Sequence, residues 1–234
     1  MQDTIVIDDG GKWEFNQEVT DVFDEMLERS IPQYDLMREL VFSIGSRFVI
    51  PGTRIIDIGC SRGQAVMPFV DRFKDSNDYL LLDVSRPMLD ACRKKFMNNP
   101  TVEIMENDIS KSIPKGNASV VLGILTIQFT PIEHRQRIVQ LVKDSLNQGG
   151  VFIMVEKVLG DTYDMDRLLV SEYYDMKSDN QYSQEQIQSK RKSLEGVLVP
   201  VTAKWNEDIL TKGGFSQVEC FWRCLNFAGW VAIK

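Results

Sequence analysis

Asp57, Gly59, Ser61 and Gly63 stand at alternate positions in RIIDIGCSRGQAV, residues 54–66. The apolar run before Asp57 reads as a buried strand, and residues 63–73 read as a helix. Glycines carry no Cβ, so a ligand can come close to the backbone there. A helix that begins behind such a turn offers free N–H groups and a partial positive charge. A nucleotide-like ligand is one use for this turn, and a tight structural corner is the other.

A dinucleotide fingerprint would read G-x-G-x-x-G. Here an acid precedes the first glycine by two residues, and the later small residues are spaced differently. That suits a ligand without a pyrophosphate. S-adenosyl-methionine, which joins adenosine, a sulfonium and an amino acid, has that character. Asp57 would hold its ammonium, directly or through water, and backbone N–H groups its carboxylate. Asp83 ends the next strand, 24 residues after Gly59, where a carboxylate can accept from both ribose hydroxyls. Asp108, in MENDIS, ends the third strand, where it can accept from the adenine amino group beside the Ile109 N–H. Asp83 and Asp108 would each serve alone as helix N-caps. Acids at three strand ends in register make a ligand cradle the better reading.

The elements that must position these residues alternate. NQEVTDVFDEMLERS and YDLMRELVFSIGSRFV are amphipathic helices, followed by RIIDIG as a strand. YLLLDV, VEIMEND, SVVLGILTI and VFIMVEK are further strands. The helix PMLDACRKKFM carries Pro87 in its first turn, and PIEHRQRIVQLVKDSL closes at NQGG. Strand–helix alternation predicts an α/β fold with a parallel sheet covered on both faces. Residues 160–200 break the rhythm. Their spacing at Leu168, Leu169 and Tyr173, then Ile187, Leu194 and Leu198, predicts a helical insertion that serves as a lid or an interface. Helix 203–212 ends at Gly213-Gly214, and FSQVECFW and CLNFAGWVAIK form an antiparallel pair at the sheet edge. The expected organisation is one α/β domain with a helical segment over 13–50 and the insertion over 160–200.

Composition narrows the function. The net charge is −7, from 27 basic and 34 acidic residues. Such a surface repels phosphate backbones, which disfavours direct binding of tRNA or DNA. No apolar stretch reaches the ~20 residues of a membrane helix, and the acidic N-terminus is unlike a secretory signal, so a cytoplasmic chain is expected. Cys60, Cys92, Cys220 and Cys224 form no Cys-x-x-Cys pair and read as reduced apolar residues. The single histidine, His134, reads as part of a solvated helix face, and no metal site is expected.

From Trp13 onward the likeness becomes more particular. WEFNQEVTDVFDEMLERSIPQY resembles the start of the bacterial carboxy-S-adenosyl-methionine synthases. DIGCS, LDVSRPML, NDI, LNQGG, VEK, YSQEQIQSKRKSLE and LNFAGWVAIK continue it in order, over nearly the whole chain. The resemblance implies the Rossmann-like sheet of class I methyltransferases with an antiparallel last strand, and a homodimer. It implies conversion of S-adenosyl-methionine and prephenate into carboxy-S-adenosyl-methionine, phenylpyruvate and water. A proton leaves the sulfonium methyl, and carbon dioxide from prephenate takes its place. The product then serves a partner enzyme that carboxymethylates a wobble uridine of tRNA.

That chemistry needs a cation facing the new carboxylate, because a buried carboxylate without a partner costs several kcal/mol. Arginine suits it, since its fork meets both oxygens. The family's carboxylate-binding arginine falls on Arg191 in SKRKS, a cluster otherwise read as a solvated face. The resemblance also assigns ligand contacts to Tyr34, Gly59, Cys60, Ser61, Asp83, Val84, Asp108 and Ile109. By residue type alone, Tyr34 would read as a core aromatic opening a helix. Ile124 stands where the family carries an asparagine, and Arg62 and Gln64 stand where smaller or apolar residues are expected. Ile124 and Arg62 favour one alternative, a methyltransferase acting on a small molecule, and the lack of an obvious acid–base pair leaves another, a binding subunit without catalysis.

Overall fold

The structure, a computed structural model, describes residues 11–234. Most of the acidic N-terminal stretch considered above, residues 1–10, lies outside the described residues. The strands are β1 (Arg54–Ile58), β2 (Asp78–Asp83), β3 (Val102–Glu106), β4 (Ala118–Ile124), β5 (Leu146–Leu159), β6 (Val201–Thr202), β7 (Gln217–Cys224) and β8 (Phe227–Ile233). They stand in the order β3-β2-β1-β4-β5-β8-β7, with β6 paired to the end of β5. The first five run parallel, whereas β8 is antiparallel to β5 and forms a hairpin with edge strand β7. Ile55, Ile56, Leu80, Leu81, Val121 and Ile153 are fully buried. Strands covered on both faces require such continuous apolar runs.

The helices are α1 (Gln17–Ser30), α2 (Tyr34–Ser46), α3 (Met67–Phe73), α4 (Arg86–Lys95), α5 (Ile132–Ser145), α6 (Tyr163–Asp179), α7 (Gln184–Leu194) and α8 (Ala203–Lys212). Side chains alternate across a strand, so neighbouring residues feed opposite cores. Ile56 and Phe152 pack with Ile138 and Val142 of α5 and Leu210 of α8. Ile55 and Ile153 pack with Met37 and Val41 of α2, Phe69 of α3 and Leu89 of α4. Asn16 caps α1 by accepting from Val19 N at 3.0 Å. The α1 face of Val19, Phe23 and Met26 then packs with Trp13 over Met88 of α4. In the 160–200 stretch, Tyr173 of α6 and Ile187 of α7 are buried, while Leu168 remains half exposed. Ser183 and Gln186 cap α7 reciprocally, which fixes where the second helix starts.

Two elements differ from the sequence expectation. The helix expected over 63–73 begins only at Met67. Gly59, Ser61 and Gly63 have φ of 67°, 47° and 73°, left-handed values that a right-handed helix cannot include. The NQGG segment is not a helix cap. α5 stops at Ser145 and the chain turns straight into β5, where Leu146 pairs with Ala118 before a break in register. Gly149, at φ 76°, lies inside that irregular start.

Gly63 is held by two constraints: its left-handed φ and a neighbour, since an added Cβ would lie 2.5 Å from Cε2 of Phe96. Gly116 has φ 86° but open surroundings. Gly63→Ala should therefore lower the unfolding free energy by about 2–4 kcal/mol, and Gly116→Ala by about 1 kcal/mol. Chemical denaturation measures both, and equal losses would contradict the packing of Gly63 on α4.

Candidate functional site

The carboxyl ends of the parallel strands open on a cavity of about 540 Å³. Ligands of open α/β sheets bind at such strand ends, where the strand order reverses. Tyr34, Asp57, Gly59, Cys60, Ser61, Asp83, Val84, Asp108 and Ile109 all line it. Gly63 and Arg191 do not. Gly63 acts from behind, by seating the loop on Phe96.

Asp57 is the most constrained of these groups. It is 1% exposed, one residue before the end of the central strand β1 between Leu81 of β2 and Leu122 of β4. Neither carboxylate oxygen accepts a hydrogen bond of ordinary geometry among the described residues, and the Val66 amide is the one backbone group near enough to ease its charge. Burial pushes its pKa up to about 7, against the pull of the Arg38 guanidinium. Asp83 is differently employed. Its Oδ2 accepts from Ser61 N at 2.8 Å and its Oδ1 from Ser85 N at 2.9 Å. It thereby ties the glycine loop to the start of α4, where Ser85 is the N-cap. Burial raises its pKa, and the amides of Ser85, Ser61 and Val84 oppose that. Asp108 stands two residues past β3, not at its end, and accepts from Ser110 Oγ at 2.6 Å and Ser110 N at 3.0 Å. The Ser110 hydroxyl chiefly, with Lys111 3.2 Å away, holds its carboxyl below the usual range. Ile109 is buried beside it. Cys60 is buried, and its hydrogen bond with the Cys92 thiol keeps its pKa well raised. All four cysteines are free thiols.

Arg191 is exposed on the outer side of α7. The covered arc of that helix runs through Ile187, Lys190, Ser193 and Leu194, and Lys190 rather than Arg191 lines the cavity. Successive helical residues point about 100° apart, so two neighbours cannot share one target. His134 is exposed, as expected, and stands at the cavity rim. Ile124 lines the wall, so no polar side chain faces the cavity at that position. Arg62 donates to Thr20 O at 3.1 Å and pairs with Asp24 at 3.4 Å. Gln64 accepts from Lys95 at 3.2 Å. Both residues fasten the glycine loop to its helices.

Four residues escaped the sequence reading. Arg38 lines the cavity one helical turn after Tyr34, 5.9 Å from its ring, and forms no ion pair among the described residues. The i, i+4 spacing from Tyr34 was the available signal. Glu156 is buried, and its oxygens accept from Ile127 N and Gln128 N, both at 2.9 Å. Burial pushes its pKa up to about 7, against those amides and Arg135. Arg135, also buried, donates to Gln128 O, Thr130 O and Val199 O. Together they fix the turn at 127–130 that carries Phe129 and Thr130 into the wall. Lys157 lines the cavity next to Glu156. Two charges closing the apolar run VFIMVEK were the signal for both.

Among the described residues, no group of three or more His, Cys, Asp or Glu is placed to hold a metal. None of the described helices is long and apolar enough to cross a membrane.

A family model for a methyltransferase domain matches residues 55–150. An O-methyltransferase family protein from Burkholderia thailandensis shares the fold at TM-score 0.67 and 15% identity, over 94% of this chain and 60% of that one. A SAM-dependent methyltransferase from Aquifex aeolicus does so at TM-score 0.61 and 11% identity, over 94% and 99%. The fold is thus that of the class I methyltransferases. The carboxy-S-adenosyl-L-methionine synthase of Methylococcus capsulatus is 36% identical over 97% of this chain and 95% of its own length. That of Actinobacillus pleuropneumoniae is 32% identical over 96% and 94%. The chain belongs to the carboxy-S-adenosyl-L-methionine synthase family.

Glu156→Ala leaves two buried amides without acceptors. It should cost about 2–4 kcal/mol of stability by denaturant titration. Hydrogen exchange should quicken at Ile127 and Gln128, and unchanged protection there would show that the turn is held by other contacts.

Proposed function

We propose that the chain converts S-adenosyl-methionine and prephenate into carboxy-S-adenosyl-methionine, phenylpyruvate and water. The observation that carries this reading is Asp57, a buried carboxylate aimed into the cavity with neither oxygen in a hydrogen bond of ordinary geometry, on a chain similar to synthases over nearly its whole length. The residues fit the nucleoside. Asp57 and Arg38 offer a negative and a positive group to the amino-acid end, which carries both charges. Asp83 has a lone pair left for a ribose hydroxyl, since its two oxygens offer about four acceptor sites and three backbone amides use at most three. Asp108 and Ile109 border the adenine end, and Gly59 seats the loop against Thr126, whose side chain fills the space a Cβ would take. Bound S-adenosyl-methionine would supply an activated methyl carbon, and the chain's part is to orient it and exclude water.

Arg191 belongs to the proposal as the cation for the appended carboxylate. It is exposed on its own chain, so it serves that carboxylate only from a second copy, in the homodimer the resemblance implies. The helical insertion over 160–200, set on one α/β domain beside the segment over 13–50, is then interface as well as lid. The enzyme acts in the cytoplasm. Its product is consumed by an enzyme that carboxymethylates a tRNA wobble uridine, so this acidic chain, of net charge −7, need not touch RNA.

Ile124 favours a second reading, a methyltransferase for a small acceptor, because the wall offers no side-chain hydrogen bond there.

Mass spectrometry of ligand released from the purified protein should show carboxy-S-adenosyl-methionine, and the purified protein should form it when given prephenate. Methyl transfer to an acceptor without any carboxylated nucleoside would favour the second reading. Arg191→Leu should lose the carboxylated ligand and keep S-adenosyl-methionine. Unchanged ligand content would remove Arg191 from the site.

A further inference from the structure

Lys157 has no place in the nucleoside cradle. It sits at the carboxyl end of β5, opposite Phe227 of β8, and lines the same cavity. Its ammonium lies 4.5 Å from the Tyr173 ring centroid and 5.7 Å from that of Phe227. No carboxylate among the described residues forms an ion pair with it. The acid whose field it feels, Asp166, spends one oxygen on Gly160 N at 2.8 Å. Aromatic faces attract a cation but do not replace the hydrogen bonds that an ammonium loses on leaving water. Burial accordingly lowers its pKa to about 8. A charged group kept in a cavity wall against two rings, with no carboxylate paired to it, is complementary to an anion.

Its position indicates which anion. Strand order runs β2-β1-β4-β5, so two strand spacings separate the end of β5 from that of β1. That is about 10 Å at ~4.8 Å per strand. The acids Asp57, Asp83 and Asp108 belong to the β1, β2 and β3 side. Lys157 stands on the far side, beyond Ile124 at the end of β4, whose partner in the sheet is Val155.

We infer that Lys157, with Tyr173 and Phe227, forms a separate subsite that binds a carboxylate of the second substrate and packs its hydrocarbon ring against the two aromatic side chains. The class of ligand is an organic acid built on an unsaturated six-membered carbon ring. The inference deepens the proposed synthase function and rests on it for the identity of that acid.

The test titrates prephenate, and separately phenylpyruvate, into the full-length protein saturated with S-adenosyl-methionine. Wild type and Lys157→Met, which keeps the chain length and loses the charge, are compared. Lys157→Met should weaken binding of both acids by roughly 10- to 100-fold, the value of a charge-assisted hydrogen bond. It should keep its S-adenosyl-methionine affinity within about twofold, which also reports a folded protein. In turnover the KM for prephenate should rise by the same factor. Equal binding of the acids by wild type and variant would overturn the subsite, as would an equal loss of S-adenosyl-methionine affinity. Acids that bind wild type through Lys157 but are not turned over would sink the synthase reading and leave the subsite standing.

Discussion

The fold of this chain is arranged around a carboxylate that its own residues do not neutralise. Asp57 stands one residue before the end of β1 in a sheet covered on both faces, is almost wholly buried, and has no hydrogen bond of ordinary geometry, only the nearby Val66 amide. Leaving such a group uncompensated costs several kcal/mol, which is why it is held partly protonated, at a pKa of about 7. A cationic ligand removes that cost on binding. A structural corner would need no such group, since Asp83 already ties the loop to the start of α4.

The rest of the cavity is built from the same two devices, strand ends and buried charges that fix turns. Asp83 locks the glycine loop through Ser61 and Ser85, and Glu156 with Arg135 locks the turn after β4. Both turns project side chains from a rigid sheet, so the ligand meets a wall that is already formed. The α1 strap, seated by Trp13, Phe23 and Met26, and fastened through Asp24 to Arg62, adds an apolar side to it. Arg62 departs from the small residue expected in the loop because its partner lies on α1, not in the ligand.

The central strands were readable because burial on both faces leaves long apolar runs that little else produces. Asp57 and Asp83 were readable because an acid closing such a run is costly unless it is used. Other features depend on tertiary detail that spacing does not carry. Lys190 lies three residues after Ile187 and Arg191 lies four after it, and both spacings suit one helix face. Only the packing of α7 selects Lys190 for the cavity. The late start of α3 begins with Gly63, the one left-handed residue inside the expected span. The strand at NQGG was hidden because consecutive glycines usually end a helix, and here Gly149 permits an irregular strand start instead. Arg38 lay in plain view, but its meaning depends on a carboxylate on the next element, β1.

The most direct measurement of the central claim is proton release on binding S-adenosyl-methionine. Calorimetric titrations at pH 6 in two buffers of different ionisation heat give the number of protons exchanged. With Asp57 near 7 in the free protein and the ligand ammonium already charged, binding should release nearly one proton per site at pH 6. That release should vanish above about pH 8, where the carboxylate is already ionised, and in Asp57→Asn at every pH. Tight binding at pH 6 with no proton released, or the same release from Asp57→Asn, would contradict the account.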